Sequence, residues 1–361
     1  IDYTGGGCPH ILAEPQRTNN LTASQDLTVS FWNSISTETI VASTVLSPDG
    51  TTFGFKAIPY SDNTTHYVDY DYGFLSMPIG EVTYSIFVKP FGYTNFQIAP
   101  SSGMNSRYQN FELTGDGVLG AGDVNGAKIE KIGDWYRCSI TETSVSASPR
   151  VLNIATPTSG LGRNPSFTGN GTDGVLLWGV QMEEGTYPTS YIPNLSTTSG
   201  STVTRNQDIF TRDGIGSLIN STEGVLFAEI AALSDDLTYK RISLSDSTED
   251  NRISISYDDV SNTISGQVFV GGVEQSLLTY VLSDITEFSK IALKYKVNDF
   301  ELWVDGYEIA TGVSGSVFPQ GTLNSLSFDN GSSVQNFFGK VKQLQVYDTT
   351  LTVSQLENLT V

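Results

Sequence analysis

Apolar and polar positions alternate with a period of two along most of the chain, the spacing of strands with one face buried. Val82, Tyr84, Ile86 and Val88 alternate with Thr83, Ser85 and Lys89, which predicts a half-buried strand. Residues 175–182 form a nearly continuous apolar run of strand length, as a central strand requires. Shorter runs at 96–98, 111–113 and 151–154 are bounded by Gly, Pro, Asn or Ser. The second half repeats the pattern at 224–232, 241–244, 252–257 and 264–270. Its strongest signal is a meander: strands at 290–295, 300–304 and 307–309, with Asn298-Asp299 and Asp305-Gly306 as the turns. In it Phe300, Leu302 and Val304 share a face from which Trp303 alternates away. A final strand at 341–347 precedes Thr352-Val353-Ser354-Gln355, a capping box that predicts a short helix burying Val353, Leu356 and Leu359. No helical stripe of useful length occurs earlier, which disfavours a parallel βαβ fold.

These signals predict an all-β chain of two tandem antiparallel sandwiches. The opening stretch, with Gly5-Gly6-Gly7 and two prolines, is expected to be an extended arm over residues 1–24. The first sandwich is placed at 25–193, a polar linker at 194–208 and the second sandwich at 209–361. A length of 361 residues agrees with two cores.

The formal net charge of −20 opposes nucleic acid and anionic membrane partners. No apolar run approaches the roughly 20 residues of a membrane span. The chain begins at Ile1 in mid-motif, so an upstream segment is expected, with an anchor on it left open. Cys8 and Cys138 allow one long-range bridge or two free thiols, and alternation puts Cys138 with Tyr136 and Ile140 on an apolar face, as a buried thiol.

In the second half, Lys290-Ile-Ala-Leu-Lys-Tyr, Glu301-Leu-Trp-Val-Asp-Gly-Tyr-Glu-Ile and Phe338-Gly-Lys-Val-Lys-Gln-Leu-Gln-Val-Tyr-Asp resemble the hairpin and closing strand of laminin-G-like and concanavalin A-like jelly-roll domains. In the first half, Leu12-Ala-Glu-Pro-Gln-Arg-Thr-Asn-Asn-Leu, Gly133-Asp-Trp-Tyr-Arg-Cys-Ser, Trp178-Gly-Val-Gln-Met-Glu-Glu-Gly-Thr-Tyr-Pro-Thr-Ser-Tyr-Ile-Pro and Val203-Thr-Arg-Asn-Gln-Asp resemble a module of bacteriophage tail, fibre and spike proteins, itself similar to carbohydrate-binding modules. The resemblance implies a virion surface protein that recognises a host receptor or polysaccharide. It also implies, by analogy, a homotrimer, and other virion proteins as partners through the upstream segment.

Candidate chemistry is sparse. The Glu-x-Asp-x-x-Glu strand by which concanavalin-type retaining glycosidases resemble one another is missing, and adjacent Glu183 and Glu184 point apart or lie in a turn. A lyase would need a His or Tyr base, and the two histidines, His10 and His66, stand in no such motif. No enzymatic activity and no cofactor is expected, with structural calcium left open. Asp116 and Asp123 could supply oxygen ligands from a flexible Gly-rich loop, and Asp246, Glu249 and Asp250 form a second acidic turn; turn-forming roles explain both stretches more simply. For saccharide recognition, aromatic faces and planar polar groups cluster at Tyr60, Asp62, Asn63, Tyr67, Asp69, Tyr70, Asp71 and Tyr72. Alternation puts Tyr67, Asp69 and Asp71 on one face, opposite His66, Tyr70 and Tyr72, and Trp303 is the other aromatic expected at a surface or beneath a neighbouring chain. An ordinary Tyr-rich surface over a packed face is the simpler account of the cluster. The leading expectation is a non-enzymatic, glycan-binding spike, fibre or tail component. A ligand-free spacer or capsid decoration, and the binding modules of a secreted polysaccharide-active enzyme, stay open.

Overall fold

The computed structural model describes residues 10–37, 40, 42–70, 79–146, 150–158 and 160–361. It forms two compact units, Gln16–Asn206 and Gln207–Val361, the latter joined by the chain up to Pro15. Each is a sandwich of two six-stranded antiparallel sheets.

In the first sandwich, sheet I runs Val118–Gly122, Gln109–Glu112, Asn95–Pro100, Val151–Thr156, Tyr67–Tyr70, Trp32–Ile35. Sheet II runs Gly126–Ile132, Trp135–Ser144, Gly80–Phe91, Gly174–Glu184, Phe53–Ala57, Ala42–Leu46. Val82, Tyr84, Ile86 and Val88 meet Val68, Tyr70, Phe96 and Ile98 between the sheets, in one core. Complete burial stabilises the fold by about 1.5–3 kcal/mol per large apolar side chain. Cys138 lies in this core as a free thiol, and burial pushes its pKa up. Cys8 lies outside the described residues.

The apolar run at 175–182 keeps its core contacts through a bulge. Val175 and Leu177, then Val180 and Met182, face inward, while the ladder to Gly80–Phe91 shifts register between Trp178 and Gln181. Gly179 absorbs the shift at φ +63°, where a Cβ would also stand 2.9 Å from the Phe87 ring.

In the second sandwich, sheet III runs Ile11–Ala13, Gly339–Tyr347, Glu223–Ala232, Ser289–Lys296, Asp299–Val304, Tyr307–Gly312. Sheet IV runs Thr211–Asp213, Ser325–Ser327, Lys240–Ser245, Arg252–Tyr257, Thr263–Val270, Val273–Val281. The expected meander is present. Asp305 and Gly306 form a two-residue turn, both at positive φ, that fits the strand twist. The preceding turn is Val297-Asn298 rather than Asn298-Asp299, because Asp299 already pairs with Lys296.

Three expectations are corrected. The stretch 1–24 is not a free arm where it is described: Ile11–Ala13 completes the edge of sheet III, and Arg17–Asn19 pairs with Val203–Arg205. Leu21 and Ala23 enter the first core, so burial rather than extension decides this segment. The polar stretch 194–208 is not a plain linker either. Asn194 is fully buried, donating to the Ser201 carbonyl at 2.8 Å and accepting from the Ser196 amide, and the units divide after Asn206. The terminal helix, Val353–Thr360, has the capping box, with the Thr352 amide donating to Gln355 Oε1 at 2.9 Å. It buries Leu356 and half-buries Leu359, but Val353 in the first turn is exposed and Leu351 packs in its stead.

Lys240, whose side chain is 3% exposed, is held by an ion pair to Asp236. Burial alone would raise the Asp236 pKa, but the hydrogen bonds from Lys240 and Thr238 outweigh it and hold it below the usual 3.8. A depressed carboxyl pKa stabilises the fold above the unfolded value and ceases to do so as pH falls through the folded one. Asp236→Ala, which strands a buried ammonium, is expected to cost about 3 kcal/mol at pH 7. The difference from the unmodified chain should shrink in denaturant titrations below pH 3.8.

Candidate functional site

Three of the four outward sheet faces are covered by their own unit's chain. On sheet I, Gln97 and Asn110 donate to the carbonyls of Gly162 and Leu161, while Phe167 packs over Ala99, Leu152 and Ile154. On sheet II, Tyr191 packs on Phe87 and Trp178, and fully buried Glu183 accepts from the Thr189 amide at 2.8 Å and its hydroxyl at 2.7 Å. Glu183 is therefore a loop anchor. On sheet III the terminal helix lays Leu356 over Val225, Phe227, Ala292 and Trp303.

The outward face of sheet IV carries polar side chains instead, and these are 0–8% exposed. Ile242, Leu244, Ile253, Ile255, Tyr257, Ile264 and Val268 point into the core, so the alternate positions point out. The ladder aligns these in three rows: Ser327, Ser243, Ser254, Gln267; then Ser325, Ser245, Arg252, Phe269; then Arg241, Ser256, Ser265. At one side the chain folds over the serines, where the Asp329 carbonyl accepts from Ser243 Oγ and its carboxylate from Ser327 Oγ, both at 2.8 Å. The two arginines flank the Ser243–Ser254 row, Arg252 in the row on one side and Arg241 in the row on the other.

Arg241 and Arg252 are 4% and 8% exposed. The Arg241 guanidinium lies 4.8 Å from the Tyr239 ring centre and donates to Gln267 Oε1; that of Arg252 lies 3.9 Å from the Phe269 ring centre and donates to the Glu249 carbonyl. Among the described residues neither meets a carboxylate, and the Nε of each and Ser254 Oγ lack a hydrogen-bond partner. Burial lowers both arginine pKa values, and the charge of Arg241 lowers that of Arg252 further. Three other buried or half-buried cations are paired with carboxylates: Lys240 with Asp236, Lys294 with Asp299 and Glu301, Arg150 with Asp69. Such a face can fork planar N–H groups and hydroxyls onto a polar ligand.

The platform expected in the first sandwich is divided. Tyr60, Asp62 and Asn63 are exposed, with Asn63 opening a short strand paired to Ser166–Thr168. Tyr67 is half-buried. Asp69 is fully buried on an interior strand and ion-paired to Arg150, whose guanidinium lies 5.6 Å from the Tyr67 ring centre, so it is not a ligand contact. Tyr70 belongs to the core. Asp71 and Tyr72 lie outside the described residues. His66 is buried beside Phe167, with its ring nitrogens against the carbonyls of Ser36, Asp62 and Phe167, and His10 packs on Phe288.

Trp303 does alternate away from the core, but it is 4% exposed because the terminal helix covers it. Asp116 and Asp123 do not converge. The Gly-rich stretch between them is the strand Val118–Gly122, about 17 Å long at 3.3–3.4 Å per residue, and Asp123 accepts from the Tyr108 amide at 2.8 Å. Asp246 caps its own turn, accepting from the Thr248 amide, while Glu249 accepts from Asn330. Among the described residues no three His, Cys, Asp or Glu side chains group to hold a metal.

The sequence reading missed the sheet IV face, though a signal exists. Arg241-Ile-Ser-Leu-Ser, Arg252-Ile-Ser-Ile-Ser and Ile264-Ser-Gly-Gln-Val-Phe repeat one polar set on three successive strands.

No family model and no curated protein matches the chain. Solved structures similar in part include the Ruminococcus gnavus IT-sialidase CBM40, at 15% identity over 42% of this chain and 98% of that one, TM-score 0.34. The SAP-like pentraxin of Limulus polyphemus matches at 11% identity over 38% and 70%, TM-score 0.29. Domains LG4-5 of the mouse laminin alpha1 chain match at 12% identity over 80% and 89%, TM-score 0.28. Likenesses of this degree do not bear on what the chain binds.

Proposed function

We propose that the chain is a non-enzymatic binding protein whose second sandwich holds a saccharide on the outward face of sheet IV. The observation that carries this is the three-row array of hydroxyl, amide and guanidinium groups on adjacent strands, beside Tyr239 and Phe269. Sugar hydroxyl pairs match planar forked groups, sugar C–H faces match aromatic rings, and strands hold both rigidly. The likeness of the first-half motifs to phage tail, fibre and spike modules supports a place on a virion surface, with a host-surface polysaccharide as ligand.

Binding of the full chain to a glycan array, followed by host-cell adsorption, tests this. At least one saccharide class should bind, its chain length should stay unchanged on incubation, and Gln267→Ala should weaken binding about tenfold. A chain that retains no saccharide of any class contradicts the reading.

A further inference from the structure

We infer that Arg241 and Arg252, with Ser254 beside them, form a subsite for an acidic substituent of the saccharide, a carboxylate or a sulfate ester. The inference rests on the glycan-binding reading and adds the ligand's charge to it.

Removing a guanidinium from water is costly unless a counter-charge and hydrogen bonds replace the lost hydration. Each of these arginines has five N–H donors and uses one, on a neutral oxygen. Stacking on Tyr239 and Phe269 offsets only part of the desolvation. The two like charges also disfavour one another, since Arg241 lowers the pKa of Arg252. Exposed Glu249, Asp250, Asp259 and Glu274 and half-buried Asp258 act on the pair through their fields without pairing with it. Asp258 is itself engaged by Ser265 at 2.8 Å and Ser256 at 3.2 Å.

In a chain of net charge −20, acids to pair these arginines are abundant, and Lys240, Lys294 and Arg150 each have one. What the arginines lack is an anion from outside. The register brings the donors together: Arg252 and Ser254 lie two apart on one strand face, while Arg241, on the neighbouring strand, reaches across to Gln267, the partner of Ser254. Two N–H forks and a hydroxyl suit an oxyanion.

The test probes an array of neutral, carboxylate-bearing, carboxyl-reduced and sulfated saccharides with the full chain and with Arg252→Met, Arg241→Met and Arg252→Lys. Acidic members should bind preferentially. Either Met variant should lose about 10- to 100-fold in affinity for them, and Arg252→Lys, which keeps the charge but not the fork, should lose part of it. Thermal unfolding of Arg252→Met should be unchanged or raised, because an unpaired buried charge has been removed; a purely structural arginine would lower it. Loss of binding on carboxyl reduction identifies a carboxylate, and retention by sulfated members alone identifies a sulfate. Neutral members bound as tightly as acidic ones, or acidic binding indifferent to the substitutions, would overturn the inference and leave the glycan-binding reading standing. Absence of binding to any member would remove that reading itself.

Discussion

Trp303→Ala is expected to destabilise the second sandwich by about 3–5 kcal/mol, the usual cost of deleting a large buried aromatic side chain. Trp303 fills the space between sheet III and the terminal helix, against Val225, Phe227, Ala292 and Leu356. Its Nε1 donates to Glu301 Oε2 at 2.9 Å, and Glu301 holds Lys294 at 2.6 Å, so removing the indole opens a cavity and releases one bond of a charged network. Leu356→Ala, which loosens the same contact from the helix side, should cost about 2–4 kcal/mol. Denaturant titration monitored on the second sandwich measures both. A cost below about 1 kcal/mol for Trp303→Ala would mean that the helix does not seal this face.

Arg150→Met should cost the first sandwich about 3–5 kcal/mol at neutral pH, because it leaves the fully buried Asp69 carboxylate without its cation. The reverse change, Asp69→Asn, should be milder, since the Arg150 side chain is 26% exposed and can turn to water. The pH dependence gives a second check. In the intact pair the hydrogen bond to Asp69 raises the Arg150 pKa. Without Arg150, burial raises the folded pKa of Asp69 above its unfolded value. Stability is then greatest at low pH and falls as pH rises through that folded value. Denaturant midpoints of Arg150→Met should therefore approach those of the unmodified chain on acidification, and a gap that widens with acid would refute the account.

Local chemistry made much of the fold readable in advance. The turns at Asn298 and Asp305-Gly306 and the capping box at Thr352 are decided by residues next to one another. Alternation also sorted inward from outward side chains correctly at Val82–Val88 and at Trp303. What alternation could not supply was the identity of the cover. Phe167 over sheet I, Tyr191 over sheet II and Leu356 over Trp303 all come from other parts of the chain, so an outward aromatic expected at a surface or beneath a neighbouring chain is covered by its own helix. The first-sandwich cluster failed as a single platform for the same reason: Asp69 meets Arg150 from 81 residues away. The arginine face was missed differently. Its strands were recognised, but serine and arginine positions spread over three strands join in one array only through the ladder register, which the sequence does not state.

The edge pairing of Ile11–Ala13 with Gly339–Val341 makes the first sandwich, in sequence terms, an insertion within the second. At synthesis rates of about 5–20 residues per second, the Ile11 strand leaves the ribosome roughly 15–65 seconds before its partner exists. Throughout that interval the intervening domain can complete its own core, since every sheet I and sheet II strand lies between Gln16 and Asn206. A fragment cut at residue 209 would lack this strand and expose the Gly339–Val341 backbone as an unpaired edge, open to the strand of another copy. A circular permutant that closes the chain elsewhere would spare the second sandwich its wait.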